Sequence, residues 1–230
     1  MDATAAARSL RSFHDKLLAT YGPQQWWPAK TPLEVIVGAY LTQNTSWLAV
    51  ERSIGNLAAQ GLMNLKGLRA IGEDDLRLLI RPSGYMVRKA AAIKAFIAFL
   101  DREYSGSLDA LATQPAAHIR AQLLALFGVG EETADAILVY ALGHPTMVVD
   151  EYLRRIAARH GLAPRGEKYA ALQKLATAAF AHDPPALQLA LSNEFHALVV
   201  AVGKRHCRTR ARCEGCPLSG PNHPPQEDSL

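Results

Sequence analysis

The segment Leu126-Phe127-Gly128-Val129-Gly130-Glu131-Glu132-Thr133, continuing to Asp150, limits the possible folds of this 230-residue chain more than any other stretch. It sets a Gly-x-Gly turn between two helical runs and delivers an acidic residue, Asp150, eighteen positions after Glu132. Glycine at Gly128 and Gly130 permits a tight turn and a close approach of the backbone to another molecule. The amides that open the next helix then face outward as an anion site. No Walker-type lysine accompanies the glycines, which points to a phosphodiester backbone rather than a nucleotide.

Around this turn the apolar residues recur at helical spacing, and no run alternates as a strand would, so the chain is expected to be all-α. Thr31-Pro32-Leu33-Glu34 has the form of a capping box with proline at the first helical position, and Leu33, Ile36, Val37, Tyr40 and Leu41 follow as one stripe. That helix should end near Leu41 to Asn44, with Thr45 or Ser46 capping the next. Further helices are expected over Gly72 to Ile80, Val87 to Tyr104, Ala116 to Leu126, Glu131 to Ala141 and Lys168 to His182. Others should start near Asp150 and run from Pro185 to Gly203. In the Val87 helix, Ile93, Phe96, Ile97 and Leu100 should face inward and Arg88, Lys89 and Lys94 should lie on its surface. Met147, Val148 and Val149 read as an extended apolar linker. The organisation changes near Thr146. A central module over 31–145 and a terminal module built from 1–30 plus 146–230 are expected.

With 49% hydrophobic residues the chain can bury a substantial core. No eighteen-residue uncharged apolar run occurs and the N-terminus has no apolar signal core, so a soluble, cytoplasmic (nucleoid-associated) protein without a membrane partner is expected. A net charge of +4 permits a polyanionic partner without demanding one. Lys204, Arg205, Arg208, Arg210 and Arg212 form one basic cluster. All three cysteines, Cys207, Cys213 and Cys216, lie within one stretch of ten residues. An odd number of thiols argues against a disulfide framework and for metal or cluster chemistry.

These motifs together resemble the helix-hairpin-helix DNA glycosylases of the endonuclease III superfamily, over about Trp26 to Cys216. The resemblance implies a two-module, all-helical fold acting as a monomer on double-stranded DNA that contains a damaged base. Gly128, Val129, Gly130 and Thr133 would bind phosphate, helped by a monovalent cation at the hairpin. Asp150 would be the catalytic carboxylate: breaking an N-glycosidic bond builds positive charge on the deoxyribose, and a fixed carboxylate stabilises that charge and activates water. Glu132 stands where bifunctional members carry the lysine that forms a Schiff base. A carboxylate forms no imine, so the lyase step should be missing. Gln43, in the turn Thr42-Gln43-Asn44, matches the polar wedge that fills the gap left by the flipped nucleotide.

Trp26-Trp27-Pro28 followed by Trp47 is similar to the 3-methyladenine DNA glycosylase III branch, whose aromatic pocket holds an alkylated purine. A cationic base over an indole gains roughly 0.5–2 kcal/mol. Lys204 would stand beside that pocket, where an unmodified ammonium repels a cationic base, so phosphate contact is an alternative role for it. The spacing Cys207-x5-Cys213-x2-Cys216 resembles the first three ligands of a [4Fe-4S] loop but lacks the fourth cysteine. His223 or His206 would have to complete a cluster or a zinc site, and loss of the cluster is the other outcome. The expected activity is monofunctional excision of an alkylated purine such as 3-methyladenine. The alternatives are an endonuclease III-like glycosylase and abasic-site lyase on oxidised pyrimidines, or a non-catalytic binder of distorted DNA.

Overall fold

A computed structural model describes residues 2–220, and every regular element among them is helical. In chain order the helices are α1 (Ala3–Tyr21), α2 (Pro32–Thr42), α3 (Trp47–Ala59), α4 (Leu65–Ala70), α5 (Glu73–Leu79) and α6 (Met86–Tyr104). They continue as α7 (Leu108–Ala112), α8 (Ala116–Leu124), α9 (Glu131–Ala136), α10 (Glu151–Arg159), α11 (Tyr169–Ala179) and α12 (Gln188–Arg205). The α9 helix relaxes into a π-helical turn over Ile137–Ala141. The chain divides into two compact units, one of Pro28–His144 and one of Met1–Trp27 with Pro145–Leu230.

In the continuous unit α2 is the central helix, buried from Leu33 to Leu41 except for Glu34. Its start is fixed as the sequence suggests: the Glu34 amide donates to Thr31 Oγ1 at 3.2 Å. The Glu34 carboxylate accepts from the Lys30 amide rather than from that of Thr31. Ser46 occupies the N-cap position of α3 without a side-chain cap bond, while the neighbouring Thr45 hydroxyl donates to the Ser83 carbonyl. The short helices α4 and α7 are each held by one cap, Asn64 Oδ1 accepting from Gly67 and Ser107 Oγ accepting from Ala110.

In the discontinuous unit α1 supplies Leu10, Phe13 and Leu17 to a core completed by Leu153, Phe195 and Val199. The segment Pro185–Arg205 is long and apolar enough to cross a membrane by composition, but α12 spends its apolar residues on this core. Met147, Val148 and Val149 are buried and lie outside any helix on the way into α10. The Gln173 side chain donates to the Met147 carbonyl, and the Val149 amide donates to the Tyr169 hydroxyl. Gly203 lets α12 approach α10: a Cβ there would stand 2.2 Å from the Tyr152 ring.

Candidate active site

The hairpin between α8 and α9 is built from both its glycines, for different reasons. Gly128 has φ +79°, a left-handed conformation costly for other residues, and a Cβ on it would approach Ala92 Cβ to 2.9 Å. Gly130 is extended, with φ −103° and open space where a Cβ would be, so what glycine provides there is an uncovered approach to the start of α9 and not a turn. Arg120 on α8 grips the buried Asp135 on α9 with Nε at 2.7 Å and Nη2 at 3.1 Å, a two-pronged contact that fixes the two helices around the turn. Glu131 and Glu132 in the first turn of α9 are both exposed. Acidic residues are favoured at that position by the helix dipole.

Gln43 lies in the same unit and is joined to this hairpin. Its Nε2 donates to the Gly128 carbonyl and to Thr133 Oγ1, each at 2.9 Å. Thr133 is buried and its hydroxyl accepts this bond, which uses an acceptor site and leaves the O–H proton uncommitted by it.

Lys89 departs from expectation: it is buried, not on the surface of α6. Its ammonium donates to the Leu41 carbonyl at 2.8 Å, Thr45 Oγ1 at 2.6 Å and the Ser83 carbonyl at 2.8 Å. These three acceptors use all three of its N–H groups. Burial without a carboxylate partner pulls its pKa down from 10.5 to about 8. The side chain thus ties the end of α2 and the turn carrying Gln43 to the turn between α5 and α6. That second turn presents Tyr85, exposed and in the left-handed region at φ 45°. Sequence reasoning missed Tyr85, although a bulky exposed aromatic next to Gly84 was the available signal. Exposed Phe127 on the hairpin stacks under Arg88, 6.0 Å from the ring centroid.

In the other unit, Asp150 is the N-cap of α10. Its Oδ1 accepts from the Leu153 amide at 2.7 Å, and its side chain is buried. The second oxygen, Oδ2, lies 3.6 Å from His196 Nε2 on α12. His196 carried no local signal in the sequence: it is separated from Asp150 by 46 positions.

Trp26 and Trp27 belong to this same unit, their ring centroids 5.4 Å apart at 54°. Lys204 places its ammonium 5.6 Å from the Trp26 ring centroid, so this indole already carries a cation of the protein's own. Trp47 opens α3 in the continuous unit and donates its Nε1 to Glu51 at 2.8 Å.

The cysteine loop after α12 is organised by arginine. Arg159, itself buried, donates to Cys207 Sγ at 3.2 Å, to the Arg208 carbonyl at 2.7 Å and to the Thr209 carbonyl at 2.8 Å. Arg155 adds a bond to the Cys207 carbonyl at 3.1 Å. Burial raises the Cys207 thiol pKa against the opposing pull of Arg159. Cys213 and Cys216 are partly buried, and His206 Nδ1 faces the Arg212 carbonyl at 2.9 Å. Among the described residues no three of His, Cys, Asp or Glu converge on a position for one metal ion, and His223 lies outside the described residues. The described residues thus supply three cysteines but no fourth thiolate, and the Nδ1 contact of His206 leaves its Nε2 uncommitted.

Comparison with known proteins bears on this arrangement. The model of the HhH-GPD superfamily base excision DNA repair proteins matches residues 37–181. MJ1434 of Methanocaldococcus jannaschii, named as a DNA repair glycosylase, is 41% identical over 88% of this chain and 90% of its own length. Among solved structures, Helicobacter pylori 3-methyladenine DNA glycosylase (MagIII) bound to 1,N6-ethenoadenine is 28% identical with a TM-score of 0.74. That match covers 89% of this chain and 98% of the other. A trapped endonuclease III–DNA covalent intermediate shares the fold at 20% identity, also with a TM-score of 0.74, covering 92% and 93% of the two chains. On the family match and its similarity to MJ1434, the chain belongs to the HhH-GPD superfamily of base excision DNA repair proteins, as a DNA glycosylase of the endonuclease III type.

Proposed function

We propose that this glycosylase is monofunctional and hydrolyses the N-glycosidic bond of an alkylated purine, such as 3-methyladenine, flipped out of duplex DNA. The observation that carries the reading is Asp150: a buried carboxylate at a helix start, with one oxygen committed to the Leu153 amide and the other outside the cap. As the base departs with the bonding electron pair, positive charge gathers on the deoxyribose. The Asp150 carboxylate stabilises it and takes the proton that water gives up on adding to C1′, later passing that proton to solvent. The product is an abasic site and a free base.

Three further features support the reading. Exposed Glu132, where the resemblance puts the lyase lysine, has no amine with which to form an imine. Trp26 and Trp27, tilted 54° to one another, offer two indole rings from which a purine-holding pocket can be built. Among relatives, the Helicobacter pylori enzyme is described as holding an etheno adduct of adenine. Gln43 is the residue assigned to the gap in the duplex, and the amides of Val129, Gly130 and Thr133 to the phosphates.

The decisive comparison is Asp150→Asn against the native chain on methylated duplex DNA, reading free purines by chromatography and DNA affinity in parallel. Asparagine is also a good N-cap, so the fold is expected to persist and binding to be retained, while base release is lost. Turnover surviving in Asp150→Asn would sink the mechanism, and an efficient borohydride-trapped adduct on an abasic duplex would overturn the monofunctional assignment.

A further inference from the structure

Asp150 has two oxygens, and only one is fixed by its own helix. The Leu153 amide holds Oδ1 at 2.7 Å, but a single bond leaves the carboxylate free to rock about its Cβ–Cγ axis. The second oxygen faces an imidazole that neither composition nor motif singled out: His196 Nε2, 3.6 Å from Oδ2, with side-chain exposures of 9% for His196 and 8% for Asp150. The elements bearing them cannot drift far apart, because Gly203 on α12 packs directly on Tyr152 of α10.

We infer that His196 is a positioning residue for Asp150, holding Oδ2 so that the carboxylate keeps one orientation while charge develops on the sugar. This rests on the reading of Asp150 as the hydrolytic carboxylate. An imidazole suits the task because Nε2 carries a proton in one neutral tautomer and in the charged form, and then donates to an anionic oxygen. At 3.6 Å the contact is longer than a hydrogen bond, as such contacts often are before substrate binds, and it tightens when the carboxylate is drawn into its working orientation. Losing the second hold leaves DNA binding intact and lowers the fraction of complexes with the carboxylate aligned, so the effect falls on the rate at saturation. A histidine that merely filled space between α10 and α12 would tolerate an apolar residue of similar volume. The two roles therefore separate.

The test compares His196→Leu, His196→Gln and Asp150→Asn on methylated duplex DNA under single-turnover conditions with enzyme in excess. Affinity for a duplex bearing an abasic-site analogue and thermal melting are measured on the same samples. His196→Leu is expected to slow base release at saturation by roughly tenfold or more with affinity unchanged. His196→Gln, whose amide nitrogen reaches the place of Nε2, is expected to recover most of that loss. A native rate in His196→Leu, or an equal loss in both His196 variants, overturns the role of His196. Such a result with Asp150→Asn inactive leaves the hydrolytic reading of Asp150 standing, whereas an active Asp150→Asn removes that reading itself.

Discussion

Gln43 and Gly128 are joined by a hydrogen bond of 2.9 Å from the Gln43 amide nitrogen to the Gly128 carbonyl, and the same nitrogen reaches Thr133 Oγ1. One side chain thus links the turn after α2 to the hairpin, so the residue assigned to the duplex gap rests, without DNA, on the element assigned to phosphate. Entering the duplex requires it to exchange two protein acceptors for contacts with bases.

Gln43→Ala should separate these two attachments. Removing the amide leaves the Thr133 hydroxyl without this donor and should lower stability by about 1 kcal/mol in urea titrations. Base release from a paired lesion should fall much further, because the gap left by the flipped nucleotide is no longer filled. Affinity for an intact duplex should change little, since phosphate contacts dominate it. Equal loss of intact-duplex affinity and base release would argue against the gap-filling role.

Lys89 makes folding respond to alkali in a defined direction. Its pKa is about 8 in the folded protein and 10.5 in its absence of burial, so across that interval the unfolded chain holds more protons than the native one. Stability from this group is therefore smallest below about pH 8 and grows as pH rises toward 10.5. Lys89→Met removes the trend. Plotted against pH, the difference in urea midpoint between the native chain and the variant should climb through this window in favour of the native chain, and a flat difference would contradict the assignment.

Arg159 is expected to be the structural centre of the cysteine loop. Arg159→Met leaves the Arg208 and Thr209 carbonyls short of a charged donor and should cost on the order of 2–3 kcal/mol in chemical denaturation. It should also make the 207–212 segment readily cleaved by trypsin. Arg159→Lys should not rescue the loop, because one ammonium cannot reproduce a fork that spans Cys207 Sγ and two carbonyls. Cys207→Ser, in contrast, should be mild. The opposite ranking would assign the loop to its thiols.

Legibility in the sequence followed how local each feature is. The start of α2 was readable because Thr31, Pro32 and Glu34 carry its cap within four residues, and Asp150 was readable as a helix start for the same reason. The α1 helix passed unnoticed: Asp2 makes no side-chain cap bond, and alanines at Ala6 and Ala7 dilute its apolar stripe. Lys89 was misplaced because its charge was weighed above its position. It stands on the stripe of Ile93, Phe96 and Leu100, four, seven and eleven residues ahead, and three acceptors from distant segments make burial tolerable there. Those acceptors leave no mark on the local sequence. The hairpin was legible as a motif, but the different work of its two glycines required the backbone angles.

The cap formed by Asp150 has a genetic consequence. Aspartate and asparagine codons differ by one base, and either side chain can hold the start of α10 through Leu153. If Asp150 is the hydrolytic carboxylate proposed above, a single G-to-A transition would silence the chemistry while the start of α10 stays capped. On that proposal, the substitution separates excision from folding: the chemistry would be lost in one step from a protein that keeps its helix start and its hairpin.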